Sequence, residues 1–482
     1  MTRVRFAPAP TGFLHIGGAR TYIFNWLFAR QQGGKVVLRI DDTDVERSTK
    51  EAIKSIISGL LFLELPWDET YYQSGAREFH DKGAERLLVT GAAYRDFTPP
   101  RVDPSSTEKQ VSPWLANPGM RELSGEESRR RAEAGEPFVL RFRVPRESGR
   151  ILEFQDMIFG SQSRAIEDIE DFALCRSDGS PTYHLASCVD DVELEISHVI
   201  RGQDHLTNTF KHILLFEALD FNPPTFGHLP LLLGPDGSKL SKRKHGPVVS
   251  LTTYRDRGFL GHGLVNYLSL LGWSAKDDRE IFTLDELLET FSISGIQRGN
   301  AVVTFDESDD QNWADPKALW VNGQHLRTID VEDLAHYIEK HLLAEDMWNP
   351  DFVGEGRDRM IATVDMLRTR YVTLRDFIEK GAAYFSDEFA IEEKARKNLD
   401  KGDARTLLHE LAKRFKSYDE DTFNEDNVEK EVRGLAAERG VKPGLIINAS
   451  RAALTGQSVG PSAFWIFIAL GLEHVIKRLE QA

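Results

Sequence analysis

The feature that most constrains this chain is its first stretch, where "RVRFA" (3–7), "PAPTGFLHIGG" (8–18) and "ARTYIFNWLFAR" (19–30) lead into "GGKVVLRI" (33–40). "RVRFA" alternates charged and apolar residues, the period of a strand. A glycine-rich loop follows. Ile23, Trp26, Leu27 and Arg30 then recur at spacings of 3, 1 and 3, which predicts a helix from about Ala19 to Arg30 with one buried face and a charged end. "GGKVVLRI" reads as a second strand behind a glycine helix stop. Strand, helix, strand in so short a span is a βαβ unit, and a parallel sheet follows.

The loop has its own chemistry. Gly12, Gly17 and Gly18 let backbone approach a ligand closely, and the helix N-terminus behind them favours phosphate. The spacing fits neither of the common glycine-rich nucleotide motifs. A plain turn, with His15 as a hydrogen-bonded structural histidine, is the alternative. A second element, "GPDGSKLSKRKHG" (234–246), sets Lys239, Lys242, Arg243 and Lys244 within six residues between glycines. Such a loop suits a polyphosphate, or is a solvated basic loop. Two phosphate-seeking elements in one chain favour a nucleotide triphosphate held at both ends.

At 482 residues the chain is too long for one core. "TPPRVDPSSTEKQVSPWLANPGM" is proline-rich and polar, "SGEESRRRAEAGEP" reads as a charged helix and "FVLRFRVP" as a strand, so an insertion is expected in the α/β region. A second α/β stretch follows, with "LEISHVIRG" as strand and "NTFKHILLFEAL" as helix. Beyond about residue 325 the period turns helical. Val331, Leu334, Ile338 and Leu342 form one series, and Ile361, Val364, Leu367, Tyr371, Leu374 and Ile378 another. The net charge of -16 argues against indiscriminate coating of nucleic acid, though not against a local basic patch. Cys175 and Cys188 are the only cysteines, too few for a zinc site of three or four thiolates. The N-terminus has no signal-peptide pattern, and "FWIFIALGL" (464–472) is too short to span a bilayer, so a cytoplasmic protein without a membrane partner is expected.

"HIGG" at 15–18 and "KLSKR" at 239–243 resemble the two signature motifs of class I aminoacyl-tRNA synthetases. "LRIDDTD", "SDGSPTYHLASCVDD", "HVIRGQDHLTNTFKHILLFEAL", "LPLLLGPDGSKLSKRKHG" and "NYLSLLGW" resemble segments of bacterial glutamyl-tRNA synthetases in the same order. The resemblance covers essentially the whole chain and is loosest in the insertion and tail. It implies an α/β, Rossmann-type catalytic domain (1–95 and 181–235) with an α+β insertion (96–180) facing the tRNA acceptor arm. It further implies a stem-contact region carrying the lysine loop (236–324) and an all-α anticodon-binding half (325–482).

The implied reaction joins L-glutamate to ATP, with Mg²⁺ brought by the nucleotide, and passes the glutamyl group to tRNA(Glu) or tRNA(Gln). A monomer without zinc is expected. By resemblance His15 and Lys242 are catalytic. Gly12, Gly17, Gly18, Asp204, Lys239, Ser241 and Arg243 join them around ATP. Arg5, Ala7, Asp41, Tyr183 and Arg201 hold glutamate, and His205 follows Asp204 in the same segment. Arg370, with Arg368 two residues away on another side of the same helix, reads the anticodon; Arg129, Arg130 and Arg131 meet the acceptor arm or form a solvated helix face. Structural alternatives stand beside these: a strand-edge charge for Arg5, a turn cluster for Asp41, Asp42 and Asp44, core packing for Tyr183, a surface ion pair for Arg201 and an exposed helix charge for Arg370. Ala9, Asp41 and Ser187 replace the serine, glutamate and asparagine common in the family. A catalytically inactive RNA-binding paralogue is the reading from another class.

Overall fold

The computed structural model describes residues 1–43, 48–99, 118–146, 149–306, 313–354 and 356–482, and the side chains of Lys242 and Arg243 lie outside the described set. Contacts divide the chain into two compact units: residues 1–255 with 264–316, and residues 256–263 with 317–482.

The first unit is built on a seven-stranded sheet. Its strands are β1 (Arg3–Phe6), β2 (Lys35–Ile40) and β3 (Glu69–Tyr72) from the N-terminal segment. β4 (Ala93–Asp96), β5 (Val139–Phe142) and β8 (Ala173–Cys175) form a separate antiparallel sheet. Between them in sequence, β6 (Ile151–Asp156) and β7 (Gly160–Ala165) make a hairpin, and β9 (His198–Gly202) and β10 (Thr225–Leu229) follow. The order of the large sheet is β3-β2-β1-β9-β10-β6-β7. All its pairings are parallel except β6 with β7. The hairpin, which falls inside the expected insertion, therefore extends the main sheet.

Strand order reverses between β1 and β9. The chain steps outward from β1 through β2 to β3 on one side and from β9 to β10 on the other. The crevice outside the carboxyl ends of two such strands is where an open α/β sheet accepts ligands. Helices α1 (Ile16–Gln31) and α2 (Lys50–Phe62) follow β1 and β2. Helix α3 (Arg77–Val89) follows β3, α4 (Gly125–Glu133) precedes β5, α5 (Tyr183–Glu193) precedes β9 and α6 (Leu206–Ala218) joins β9 to β10.

Helix α1 begins three residues before the expected Ala19, because the His15 side chain caps it by accepting from the Gly18 N–H at 3.0 Å. Ile23, Trp26 and Leu27 are buried as their spacing requires, and Gly33 at φ 59° ends the helical path.

The second unit is helical and has its own apolar core, containing Leu334, Ile338, Leu342, Val364 and Leu367. The series from Ile361 to Ile378 does not lie on one helix. It is split between Arg357–Arg368 and Arg375–Glu379. In the turn between them the Asp376 carboxylate accepts from the N–H groups of Val372 (2.8 Å) and Thr373 (2.9 Å), satisfying backbone donors that a continuous helix would have paired. Tyr371, Leu374 and Ile378 still reach the core, so the apolar period continues through a turn. Among the described residues no helix is long and apolar enough to cross a membrane, and Cys175 and Cys188 are buried free thiols.

Candidate active site

A cleft of about 270 Å³ opens at the crevice between β1 and β9. Arg5, Ala7, His15, Gly17, Gly18, Asp41, Tyr183, Arg201, Asp204, His205 and Lys239 line it. Gly12 and Ser241 do not. Gly12 lies in the preceding loop, and the Ser241 N–H donates to His245 Nδ1 at 3.1 Å, at the start of the short helix Lys242–His245.

The two glycine-flanked loops contribute His15, Gly17, Gly18 and Lys239 to the cleft. His15 uses Nδ1 to cap α1, so its neutral ring carries the proton on Nε2, the nitrogen able to donate to an anion. A Cβ on Gly17 would sit 3.1 Å from that Nδ1, which explains the glycine beside it. The lysine loop returns to this segment: Ser250 bridges His15, and the Leu251 N–H donates to the Leu14 carbonyl at 2.9 Å. Buried Arg20 fastens α1 to the other side of the loop by donating to the carbonyls of Pro230 and, at 2.8 Å, Leu271. Lys239 Nζ lies 2.6 Å from Asp204 Oδ2. Burial pushes the Asp204 carboxyl up, but the Lys239 hydrogen bond together with the nearby His205 and Lys239 charges outweighs it and holds the group below its ordinary range. Lys244 is paired with Asp236.

The cleft is also lined by the buried arginines Arg5, Arg39 and Arg201. Arg5 is 4% exposed on an inner strand, so it is not a strand-edge charge. Its Nε donates to Asp191 Oδ1 at 3.1 Å, and the same oxygen accepts from Arg39 Nη1 at 2.8 Å. Arg39, wholly buried, also forks onto Asp41 and donates to Ser187 Oγ at 3.1 Å. Burial works against the Arg39 charge, and Asp41, Asp191 and Asp190 overcome it, holding the guanidinium firmly protonated. Ser187 thus faces Arg39 rather than the cleft, and Ala9 is exposed.

Arg201 is 6% exposed and forms no ion pair among the described residues, so it is not a surface ion pair. Its partners are neutral acceptors: the Tyr183 hydroxyl (2.9 Å), Thr209 Oγ1 (2.8 Å) and His228 Nε2 (3.3 Å). The Tyr183 hydroxyl lies 3.0 Å from His205 Nδ1. Burial, then the neighbouring Arg201 charge, pushes His205 down to about 4, which keeps it a neutral acceptor. A buried cation whose hydrogen-bond partners are all neutral suits a carboxylate.

Several of these residues escaped the sequence reading. Arg39 left a signal, a lone charge inside the apolar run "VVLRI". Asp191 left none, since its partner Arg5 lies 186 positions away, and Thr209 and His228 meet Arg201 only once the strands are paired. Asp42 is structural, accepting from the Ser74 N–H at 2.7 Å, and Asp44 lies outside the described residues. Arg130 forks onto Glu127, and Arg131 pairs with Glu136 while its guanidinium sits 4.4 Å from the Phe97 ring centroid. In the second unit, Arg368 donates to the Ile329 carbonyl at 2.6 Å and pairs with Asp365. Arg370 is exposed and follows the end of the helix instead of lying on it.

The family model "tRNA synthetases class I (E and Q), catalytic domain" matches residues 1–309, and "Anticodon binding domain" matches residues 333–482. The chain is 48% identical to a glutamate–tRNA ligase of Solibacter usitatus, covering 100% of this chain and 99% of the relative. It is 44% identical to one of Desulfotalea psychrophila, over 100% and 98%. A glutamate tRNA ligase from Elizabethkingia meningosepticum, solved in complex with its amino acid, superposes with a TM-score of 0.81 at 30% identity over 100% of this chain and 98% of that one. By descent as well as by architecture, the chain belongs to the class I tRNA synthetases of the glutamate and glutamine type.

Proposed function

We propose that this chain ligates L-glutamate to tRNA(Glu) through a glutamyl-adenylate, consuming ATP and releasing AMP and pyrophosphate. One observation carries the reading: buried arginines and residues of both phosphate-seeking loops line a single cleft.

In this reading the glutamate carboxylates face Arg201 and Arg5, and Tyr183 and Asp41 flank the amino acid. ATP lies along the loops, its phosphates toward His15 Nε2, the Gly17–Gly18 backbone, Lys239 and Lys242. The substrate α-carboxylate attacks the α-phosphorus, its new C–O–P bond replacing the bond to pyrophosphate. A carboxylate with a pKa near ~4 is already ionised, so no general base is needed. Positioning and stabilisation of phosphate charge then supply the catalysis. A hydroxyl of the terminal tRNA ribose next attacks the glutamyl carbonyl and expels AMP.

The cleft carboxylates are engaged, Asp41 by Arg39 and Asp204 by Lys239, and no described group of three or more His, Cys, Asp or Glu side chains could hold a metal. Mg²⁺ would therefore enter on the ATP phosphate oxygens and neutralise their charge there. The anticodon-type helical unit supports tRNA as the acceptor. The test is transfer of radiolabelled glutamate to purified tRNA(Glu), with ATP. Acid-precipitable glutamyl-tRNA is expected, and its absence with active controls present overturns the assignment.

A further inference from the structure

Arg201 on β9 stands in register with His228 on β10, so the two side chains are lateral neighbours in a parallel pair. His228 is fully buried. Its Nε2 accepts from Arg201 Nε at 3.3 Å and lies 3.0 Å from Thr209 Oγ1. Its Nδ1 lies 2.6 Å from Asp156 Oδ2, and Asp156 is also fully shielded from solvent through its side chain. The other Asp156 oxygen accepts from the N–H groups of Ile158 (2.9 Å) and Phe159 (2.8 Å) in the β6–β7 turn.

A histidine has one proton to place when neutral. If Nε2 accepts from an arginine, the proton must be on Nδ1, and a carboxylate at Nδ1 holds it there. We infer that Asp156 and His228 form a positioning pair, in which Asp156 fixes the Nδ1–H tautomer of His228 so that Nε2 holds Arg201 by its Nε. The Nη groups of Arg201 are thereby turned to the carboxylate of the amino-acid substrate. This inference rests on the glutamate-activating function proposed above.

Two further observations agree. Burial pushes His228 down, against the opposing pull of Asp156, so the ring stays neutral beside the guanidinium. Two Arg201 contacts are long, Nη2 to the His205 carbonyl at 3.4 Å and Nη1 to His212 Nδ1 at 3.5 Å. These are the contacts an arriving carboxylate would replace, while the Nε contact remains behind the guanidinium. The device also links the hairpin, which carries Asp156, to amino-acid recognition by an anchor that touches no substrate.

The test uses the full chain in ATP–pyrophosphate exchange with tRNA(Glu) present, varying glutamate and ATP separately. His228→Gln keeps an acceptor near the Nε2 position, and His228→Asn keeps only a group near Nδ1. For His228→Asn the KM for glutamate should rise about 10- to 100-fold, the loss of one hydrogen bond to a charged group, with the KM for ATP within about twofold of wild type. His228→Gln should remain within about threefold of wild type for both, as retention of that bond requires. An unchanged glutamate KM in His228→Asn, or an equal rise in both KM values, overturns the pair. No exchange from the unsubstituted chain overturns the functional reading and this inference with it. A readout on the unsubstituted chain covers variants that fail to fold: ¹⁵N shifts of labelled histidine should show His228 protonated at Nδ1 and bare at Nε2. The opposite tautomer, or an imidazolium, contradicts it.

Discussion

Arg39 grips Asp41 with a fork, Nε to Oδ1 at 2.7 Å and Nη2 to Oδ2 at 3.2 Å. The carboxylate expected to help hold glutamate is thus gripped by an arginine two residues earlier, on β2. One aspartate–arginine fork fixes its orientation, which gives the short Asp41 side chain a defined place at the cleft wall.

Replacing Arg39 should be costly. Arg39→Met leaves Asp41 and Asp191 without their main counter-charge in a buried site, and unfolding free energy should fall by about 3–5 kcal/mol. Urea denaturation followed by circular dichroism reads this. A loss below about 1 kcal/mol, the size typical of an exposed pair, would show that the cluster does not bind the sheet to α5.

Two histidines make the fold acid-sensitive above the carboxylate range. His205 and His184 are each pushed down to about 4, first by burial, then by nearby cations. The unfolded chain protonates them near the ordinary 6.5, so between 6.5 and 4 it binds more protons than the folded chain. Their contribution is complete above pH 6.5 and is lost progressively as the pH falls toward 4. The melting temperature should decline through that window, and His205→Gln should flatten the decline. A melting temperature that rises on acidification through the same range contradicts the sign.

Much of this was legible in the residues, and the parts that were not share a cause. Periodicity placed β1, α1 and β2 because an amphipathic pattern is a local property. It failed at Tyr371, where the core-facing period runs on through a turn whose N–H groups bond the Asp376 carboxylate, contacts no hydrophobic pattern encodes. The cleft residues near "HIGG" and "KLSKR" were visible as motifs. The supports behind them were not: Asp191 meets Arg5 across 186 positions and Asp156 meets His228 across 72, contacts that exist only once the sheet is assembled.

Lys242 is assigned to phosphate stabilisation. Lys242→Ala should lower glutamate-dependent exchange about 100- to 1000-fold, the usual cost of removing one preorganised charge-stabilising donor. Binding of tRNA(Glu), measured by filter retention, should be unchanged. A fully active variant would remove the residue from the mechanism.

Arg370 is exposed beyond the helix that ends at Arg368, and its guanidinium is available to nucleic acid in a way that Arg368, tied to Ile329 and Asp365, is not. Arg370→Gln should change the ratio of glutamate charged onto tRNA(Glu) and tRNA(Gln), while Arg368→Gln should mainly reduce stability, by about 1–3 kcal/mol. An unchanged ratio in the Arg370 variant would take anticodon reading away from that residue.

The central claim is that one cleft brings an anionic amino acid and a triphosphate together for in-line displacement. Amino-acid-dependent ATP–pyrophosphate exchange, run with tRNA(Glu) present and with glutamate, glutamine and aspartate supplied in turn, tests it most directly. Exchange with glutamate, and little with the other two, is the predicted result. No exchange with any of the three, or exchange with glutamine equal to that with glutamate, would contradict it.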